Sequence, residues 1–242
     1  MRKPFALALL GALLATGAAA QQPQPQTQTP QPTQQPATSQ QQQQPAATPN
    51  PNAGNHEYAP LQEREIDYKN WTFKSHPAGE PVNLRAWARG KRLVLVAYFA
   101  PWCANWRMER PVLARLHEKY KAHGFDVIAV SNYATPDQIK RHFDSQPAAY
   151  TVVVESDTQD AREQTEHFKY RKRTGDSRKW GSPYNVFLAP AKLKPGGDVL
   201  TEKAWVVNGE LIEAEVEQFI RAQLGLPKEP DAKAEAKAEP RP

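Results

Sequence analysis

Apolar runs typical of buried strands alternate along this chain with segments whose apolar residues recur every three to four positions, as in amphipathic helices. Strands are predicted at residues 93–100, 125–131, 150–154 and 184–188, with shorter ones at 71–73 and 204–207. Helices are predicted at residues 105–122, 135–145, 157–173 and 211–224. Because strands separated by helices need crossover connections, this order predicts an α/β fold in which a central mixed sheet carries helices on both faces. The last two strands are close enough in sequence to pair antiparallel.

Four apolar residues recur along one face of the helix predicted at 105–122: Met108, Val112, Leu116 and Tyr120. We expect this face to pack on the sheet and Gly124 to end the helix. Two later helices have marked starts. Thr135 and Gln138 form a capping box with Pro136 at the first helical position, and Asp157 is expected to cap the helix that reaches residue 173.

The first twenty residues have the pattern of a secretory signal peptide. Arg2 and Lys3 precede an apolar run from Phe5 to Ala20, and Ala18-Ala19-Ala20 offers a small-residue cleavage site. We expect residues 1–20 to be removed on export. The alternative is a retained membrane anchor, although the sixteen apolar residues fall short of the roughly 20 that span a bilayer.

Two further segments are too polar to build a core. Residues 21–57 consist mainly of Gln, Pro, Thr, Ala, Ser and Asn, which predicts a disordered, extended linker. Residues 227–242 alternate Ala, Lys and Glu and are expected to form a disordered charged tail. The remaining residues, 58–226, are the size of one ordinary domain.

Composition narrows the possible functions. Loss of Arg2 and Lys3 would lower the formal net charge from +5 to +3, which is too small to indicate a nucleic-acid partner. The six histidines lack paired metal-ligand spacing, so neither a metal site nor another cofactor is expected. Cys103 is the only cysteine, so the chain forms no internal disulfide.

The residues around Cys103 carry a family resemblance. A buried strand runs through Pro101 and Trp102 into a helix, and the following sequence is Cys103-Ala104-Asn105-Trp106-Arg107-Met108-Glu109-Arg110-Pro111. This stretch resembles the C-x-x-C-R-x-E-x-P motif of the TlpA/ResA-like, redoxin-type branch of the thioredoxin superfamily. The resemblance implies a thioredoxin-like fold and an exported thiol-disulfide oxidoreductase with Cys103 as its catalytic residue. It implies motif roles for Trp102, Arg107, Glu109 and Pro111.

The chain departs from that motif at one position. Trp106 stands where the family has its second, resolving cysteine, so self-contained dithiol cycling is excluded. The helix start at Cys103 and Arg107 one turn later would favour a reactive thiolate. Trp106 could instead cover or desolvate the sulfur. A reactive Cys103 and an inert, packed one both remain open.

Ser182-Pro183 resembles the family's second hallmark, a cis-proline that faces the active-site thiol. The resemblance implies that Ser182, Pro183 and Tyr184 line a substrate groove, whose surface Trp102, Trp106, Trp180 and Tyr184 would make aromatic. An ordinary turn with a trans proline is the alternative. A typical peroxiredoxin site is not expected, because Ala100 and Val96 stand where such a site has Thr or Ser and Pro.

Two functions follow from these features. The first is thiol-disulfide exchange through Cys103 on protein or small-molecule thiols and disulfides, with an external thiol completing the cycle. The second is a catalytically inactive binding module, or a chaperone-like scaffold for exported proteins. In both cases the protein is expected to be periplasmic or otherwise extracytoplasmic, with a membrane tether only if the signal segment is retained.

Overall fold

The structure, a computed structural model, describes residues 56–144 and 146–228. The predicted signal peptide at 1–20 lies outside the described residues. So do all but the last two residues of the linker predicted at 21–57, and all but the first two of the tail predicted at 227–242.

The described residues contain ten strands and five α-helices. The strands are β1 (Tyr58–Ala59), β2 (Gln62–Lys69), β3 (Thr72–Ser75), β4 (Pro81–Asn83), β5 (Leu93–Phe99), β6 (Phe125–Ser131), β7 (Thr151–Val154), β8 (Tyr184–Leu188), β9 (Val199–Val207) and β10 (Glu210–Leu211). The helices are α1 (Leu84–Trp87), α2 (Ala104–Tyr120), α3 (Pro136–Asp144), α4 (Glu166–Arg173) and α5 (Glu213–Gln223).

Eight strands form one mixed sheet in the order β2-β9-β8-β5-β6-β7-β3-β4. The central strands β5, β6 and β7 are parallel, whereas β8 runs antiparallel to β5 and β9 antiparallel to β8. β1 and β10 form a separate parallel pair. The expected central mixed sheet is therefore confirmed, and the antiparallel pairing of the last two predicted strands is confirmed with it.

Alternate side chains of β5 enter two cores on opposite faces of the sheet. Leu95 and Phe99 pack with residues of α2, α3 and α5, whereas Val96 and Tyr98 pack with residues of α1 and α4. All seven residues of β5 are buried, which is why the strand appears in the sequence as an unbroken apolar run. Helices thus cover both faces, as predicted for a thioredoxin-like α/β fold.

Several predicted element boundaries are confirmed. β6 and β8 begin and end where the sequence places them, and Gly124 follows the helical segment with a left-handed φ of 91°. Thr135 and Gln138 form the expected capping box: the Thr135 amide donates to Gln138 Oε1 at 2.9 Å, and the Gln138 amide donates to Thr135 Oγ1 at 3.4 Å.

Two helix predictions were wrong in detail. Leu116 and Tyr120 are buried on α2 as expected, but Met108 and Val112 are only partly buried, and the buried face also contains Trp106, Glu109 and Leu113. The helix predicted from residue 157 begins at Glu166 instead. There the Thr165 side chain accepts a hydrogen bond from the Phe168 amide, and a short 3-10 turn occupies residues 162–164.

Candidate active site

Cys103 lies where the central strand β5 passes into helix α2. It is the N-cap residue of α2, with an extended backbone, and its amide donates to the Ala100 carbonyl at 2.9 Å. The side chain is half-buried. The thiol therefore lies at the carboxyl end of the parallel strands and at the positive end of a 17-residue helix.

The Ser182–Pro183 segment reaches Cys103 because β8 pairs with β5. Tyr98 lies opposite Tyr184 in this antiparallel register, so the chain entering β8 lies beside the end of β5. The Ser182–Pro183 peptide bond is cis, as the resemblance implies. The Cys103 thiol donates to the Ser182 carbonyl at 3.2 Å, and the Ala100 amide donates to Ser182 Oγ at 2.9 Å. Both loops are thus joined directly at the thiol.

A second set of hydrogen bonds connects the same two loops through buried side chains. The Trp102 indole donates to the Tyr133 carbonyl at 3.0 Å, Tyr133 Oη lies 2.9 Å from His167 Nδ1, and His167 Nε2 lies 3.1 Å from the Gly181 carbonyl. Burial lowers the pKa of His167 well below its ordinary value, so the ring is neutral. Since a carbonyl only accepts, Nε2 carries the proton and Nδ1 accepts from Tyr133. This connection was missed in the sequence, because nothing near Tyr133 or His167 marks it.

Two arginines, Arg171 and Arg178, contact the cis-proline loop. Arg178 donates to the Pro183 carbonyl at 2.9 Å and pairs with Asp176 at 2.8 Å. Arg171 is fully buried, pairs with Asp176 at 3.3 Å and packs against Gly181, where any Cβ would overlap the guanidinium. Hydrogen bonds from Arg178 hold the pKa of Asp176 below its ordinary value despite burial. The loop is therefore fixed by charged groups that are themselves paired.

Trp106 lies in the core, so the prediction that it adds aromatic surface to the groove was wrong. Its side chain is 0% exposed and stacks on Phe99 with ring centroids 4.2 Å apart. The indole N–H donates to His142 Nε2 at 3.0 Å. Trp106, for which the resemblance implies a resolving cysteine, is therefore a large buried side chain facing α3.

Tyr184 was also predicted to line the groove, and it does not. Its side chain is 0% exposed and packs in the core on the other face of the sheet from α2. Its hydroxyl lies 3.3 Å from Thr174 Oγ1. Ser182 and Pro183 are buried as well, so this segment meets Cys103 through the Ser182 carbonyl. Of the four aromatic residues predicted for this surface, Trp102 and Trp180 are half-exposed and pack edge to face at 5.3 Å.

Glu109 lies beneath the site as a buried carboxyl. Asn185 Nδ2 donates to both of its oxygens at 3.1 Å, and the Leu211 amide donates at 2.8 Å. Burial raises the pKa of Glu109 to about 8, although these hydrogen bonds oppose the shift. Glu109 thus connects α2, β8 and β10. The other two motif residues, Arg107 and Pro111, are exposed on α2.

Residues 56–144 and 146–228 contain no group of three or more His, Cys, Asp or Glu side chains placed to hold a metal ion. Over the same ranges, no helix has both the length and the apolar character needed to cross a membrane.

Part of the chain matches a known protein family. Residues 67–174, which include β5, Cys103, α2, β6 and α4, match the AhpC/TSA family. Among curated proteins, no sequence matches the chain significantly.

Several solved structures are similar to this chain. A putative thiol:disulfide interchange protein DsbE from Chlorobium tepidum is 23% identical, with a TM-score of 0.47, over 68% of this chain and 99% of that one. A putative protein disulfide isomerase from Bacteroides thetaiotaomicron is 20% identical, with a TM-score of 0.47, over 70% and 94%. A putative thioredoxin from Neisseria meningitidis is 18% identical, with a TM-score of 0.47, over 72% and 97%.

The mixed sheet, the Trp102-Cys103 junction and the opposing cis-Pro183 agree with the family match. The AhpC/TSA match over residues 67–174 thus agrees with the resemblance to the thioredoxin superfamily, and the fold is thioredoxin-like.

Proposed function

We propose that this protein carries out thiol-disulfide exchange through the single thiol of Cys103. The observation that carries the proposal is the position of that thiol: half-exposed, at the start of α2 and 3.2 Å from the carbonyl that precedes cis-Pro183. Unpaired amides at a helix start stabilise a nearby anion, and the thiolate is the attacking species in exchange.

The reaction needs an external thiol, because Cys103 is the only cysteine in the sequence. The Cys103 thiolate attacks a disulfide R–S–S–R′, forms Cys103–S–S–R and expels R′–S⁻, which takes up a proton. A thiolate R″–S⁻ then attacks the Cys103 sulfur and expels R–S⁻. A second R″–S⁻ attacks the R″ sulfur, forms R″–S–S–R″ and frees the Cys103 thiolate. In total, two R″SH are oxidised to one disulfide while R–S–S–R′ is reduced to RSH and R′SH.

The position of Trp106 supports the external thiol. In a C-x-x-C motif the residue three positions after the first cysteine supplies the resolving thiol, and here that residue is a core tryptophan hydrogen-bonded to His142. Release of the mixed disulfide therefore depends on a thiol that arrives from solvent. Substrates approach over Trp102, Trp180 and the exposed Arg107, since Ser182 and Pro183 are buried.

Export is the second part of the proposal. It is supported by the signal-peptide pattern of residues 1–20, followed by the Gln- and Pro-rich segment at 21–57. We place the working domain at residues 58–226 in the periplasm or another extracytoplasmic compartment, where disulfides persist. A tether applies only if residues 1–20 are retained.

Trapping of a mixed disulfide tests the exchange reaction. The full reduced chain is mixed with a disulfide-containing peptide, and the adduct is identified by mass spectrometry without reductant. Because Cys103 is the only cysteine, any adduct reports on that thiol. We expect an adduct that added thiol releases, and no adduct with Cys103→Ala. A Cys103 that reacts with an alkylating reagent only after unfolding would overturn the proposal in favour of an inactive binding module.

A further inference from the structure

A groove of about 470 Å³ lies between α2 and α3, next to the Cys103 junction. α2 contributes Arg107 and Arg110, and α3 contributes Gln138, Arg141 and His142. Trp102 and its neighbour Pro101 form the wall nearest to Cys103. We call this site the arginine groove. Its volume lies within the range of small-molecule sites, about 300–1,000 Å³.

Charge in the arginine groove is positive and uncompensated. It is lined by three arginines and by no acidic residue. Arg107 and Arg141 are exposed and form no ion pair with any described residue. Several arginines elsewhere in the domain are paired with carboxylates: Arg115 with Glu213, Arg173 with Asp67, and Arg178 with Asp176. Two unpaired arginines facing one concavity favour an anion from solution.

Arg110 fixes one wall of this groove. Its guanidinium donates to the carbonyls of His142 and Gln146 at the end of α3 and stacks over the Phe143 ring at 4.9 Å. These partners are uncharged, so the positive charge of Arg110 is held in place without being neutralised.

His142 lies in the groove next to the arginines. Burial, together with the charges of Arg110 and Arg107, lowers the pKa of His142 to about 4. The ring is therefore neutral at ordinary pH, and its Nε2 is occupied as the acceptor for Trp106. His142 therefore adds no positive charge to the groove, and the groove's charge comes from its three arginines.

Cys103 does not itself line the groove, but residues on both sides of it in the chain do. Trp102, which lines the groove, directly precedes Cys103, and Arg107 lies one helical turn after it on the same side of α2. We infer that the arginine groove binds the carboxylates of a small anionic thiol and so delivers that thiol to the mixed disulfide at Cys103. This inference rests on the proposed exchange function and names the class of its external thiol.

Binding is tested first, with an unreactive probe. S-methylglutathione, which carries two carboxylates and no thiol, is titrated into the full chain while the indole N–H signal of Trp102 is followed by NMR. We expect saturable binding that weakens about fivefold in Arg141→Gln and in Arg107→Gln, as for loss of one exposed ionic contact. Arg89→Gln, an exposed arginine before the opposite end of β5, is the matched control and should bind as the wild type does. Inorganic phosphate that binds as tightly as the probe, or equal affinity of the diethyl ester, would overturn the inference.

Delivery is tested next, on Cys103 converted to its mixed disulfide with 2-thiopyridine. Attack by glutathione on the Cys103 sulfur forms Cys103–S–S–glutathione and releases 2-thiopyridine. In the wild type we expect glutathione to react faster than its diethyl ester. The ratio of the two rates should fall about fivefold in Arg141→Gln and stay unchanged in Arg89→Gln.

These two measurements distinguish the inference from the proposed function. If Cys103 does not exchange but S-methylglutathione binds in an Arg141-dependent way, the exchange function fails and the anion site stands. If Cys103 reacts with glutathione and its diethyl ester, and the ratio of the two rates is the same in every variant, the groove inference is overturned and the exchange function stands. Probe binding without any effect on the rate ratio of a reactive Cys103 also overturns delivery.

Discussion

The indole N–H of Trp106 donates to Nε2 of His142 at 3.0 Å, which joins α2 to α3 beneath the candidate active site. An indole nitrogen is only a donor, so His142 must keep its Nε2 lone pair for this bond to exist. The contact therefore requires a neutral imidazole, and it ties a core residue to a histidine that lines the arginine groove.

Truncation of Trp106 is expected to destabilise the domain strongly. Trp106→Ala leaves a cavity beside Phe99 and should lower the free energy of unfolding by about 3–5 kcal/mol. Trp106→Phe is the matched control, because it retains a ring against Phe99 but loses the second ring of the indole and the bond to His142. Its loss should be about 1–2 kcal/mol. Urea unfolding of both variants measures the difference, and equal losses would place Trp106 outside the core.

Acid should weaken the domain through His142. The pKa of His142 is lowered to about 4 in the folded state, from 6.5, so the unfolded chain binds the extra proton first as pH falls. The stability contributed by the neutral ring is present above pH 6.5 and is lost between pH 6.5 and about 4. We expect the urea midpoint of the wild type to fall more steeply over this range than that of His142→Gln, whose amide oxygen can still accept from Trp106. Parallel slopes would contradict the assignment.

The carboxyl of Glu109 should have the opposite pH dependence. Burial raises the pKa of Glu109 from 4.5 to about 8, so the folded state holds a proton that the unfolded chain releases. The stability from the protonated form is complete below pH 4.5 and is lost as pH rises to about 8, with a total of about 2–5 kcal/mol. Glu109→Gln should remove this dependence. The check is the free energy of unfolding at pH values from 5 to 9, and an unchanged slope in the variant would contradict it.

The strands and the cysteine junction could be predicted from sequence because their signals are local. β5, β6 and β8 are buried on both faces and therefore appear as apolar runs. β2 was missed, since five of its eight residues are charged and its burial depends on pairing with β9. Such pairing depends on residues far apart in the chain.

The buried face of α2 was predicted only in part, since Leu116 and Tyr120 are buried as expected but Met108 and Val112 are not fully so. Glu109 is polar in sequence but buried in the fold, where Asn185 and the Leu211 amide satisfy it. A periodicity that counts only apolar residues excludes Glu109 and selects Met108 and Val112 instead. The same limit applies to Tyr184, whose position after Pro183 says nothing about which side of the sheet it faces.

The buried connection from Tyr133 to His167 should hold the two active-site loops together, and Tyr133→Phe tests this. The variant keeps the Tyr133 carbonyl that accepts from Trp102, but leaves His167 Nδ1 without its donor. An unpaired buried acceptor costs about 1–3 kcal/mol, so urea unfolding should show a loss of that size.

The same variant separates stability from reactivity at the thiol. The Cys103 thiol and the Ala100 amide donate directly to Ser182. Tyr133 takes no part in these two hydrogen bonds, so they should persist in Tyr133→Phe. The alkylation rate of Cys103 in the folded variant is then expected to stay within about twofold of the wild type, a change of less than about 0.5 kcal/mol. Ser182→Ala is the matched comparison: it leaves the buried Ala100 amide without an acceptor next to the thiol and should alter both unfolding and alkylation. A large change in alkylation with Tyr133→Phe alone would mean that the loop geometry at Cys103 depends mainly on the Tyr133–His167 connection and not on Ser182.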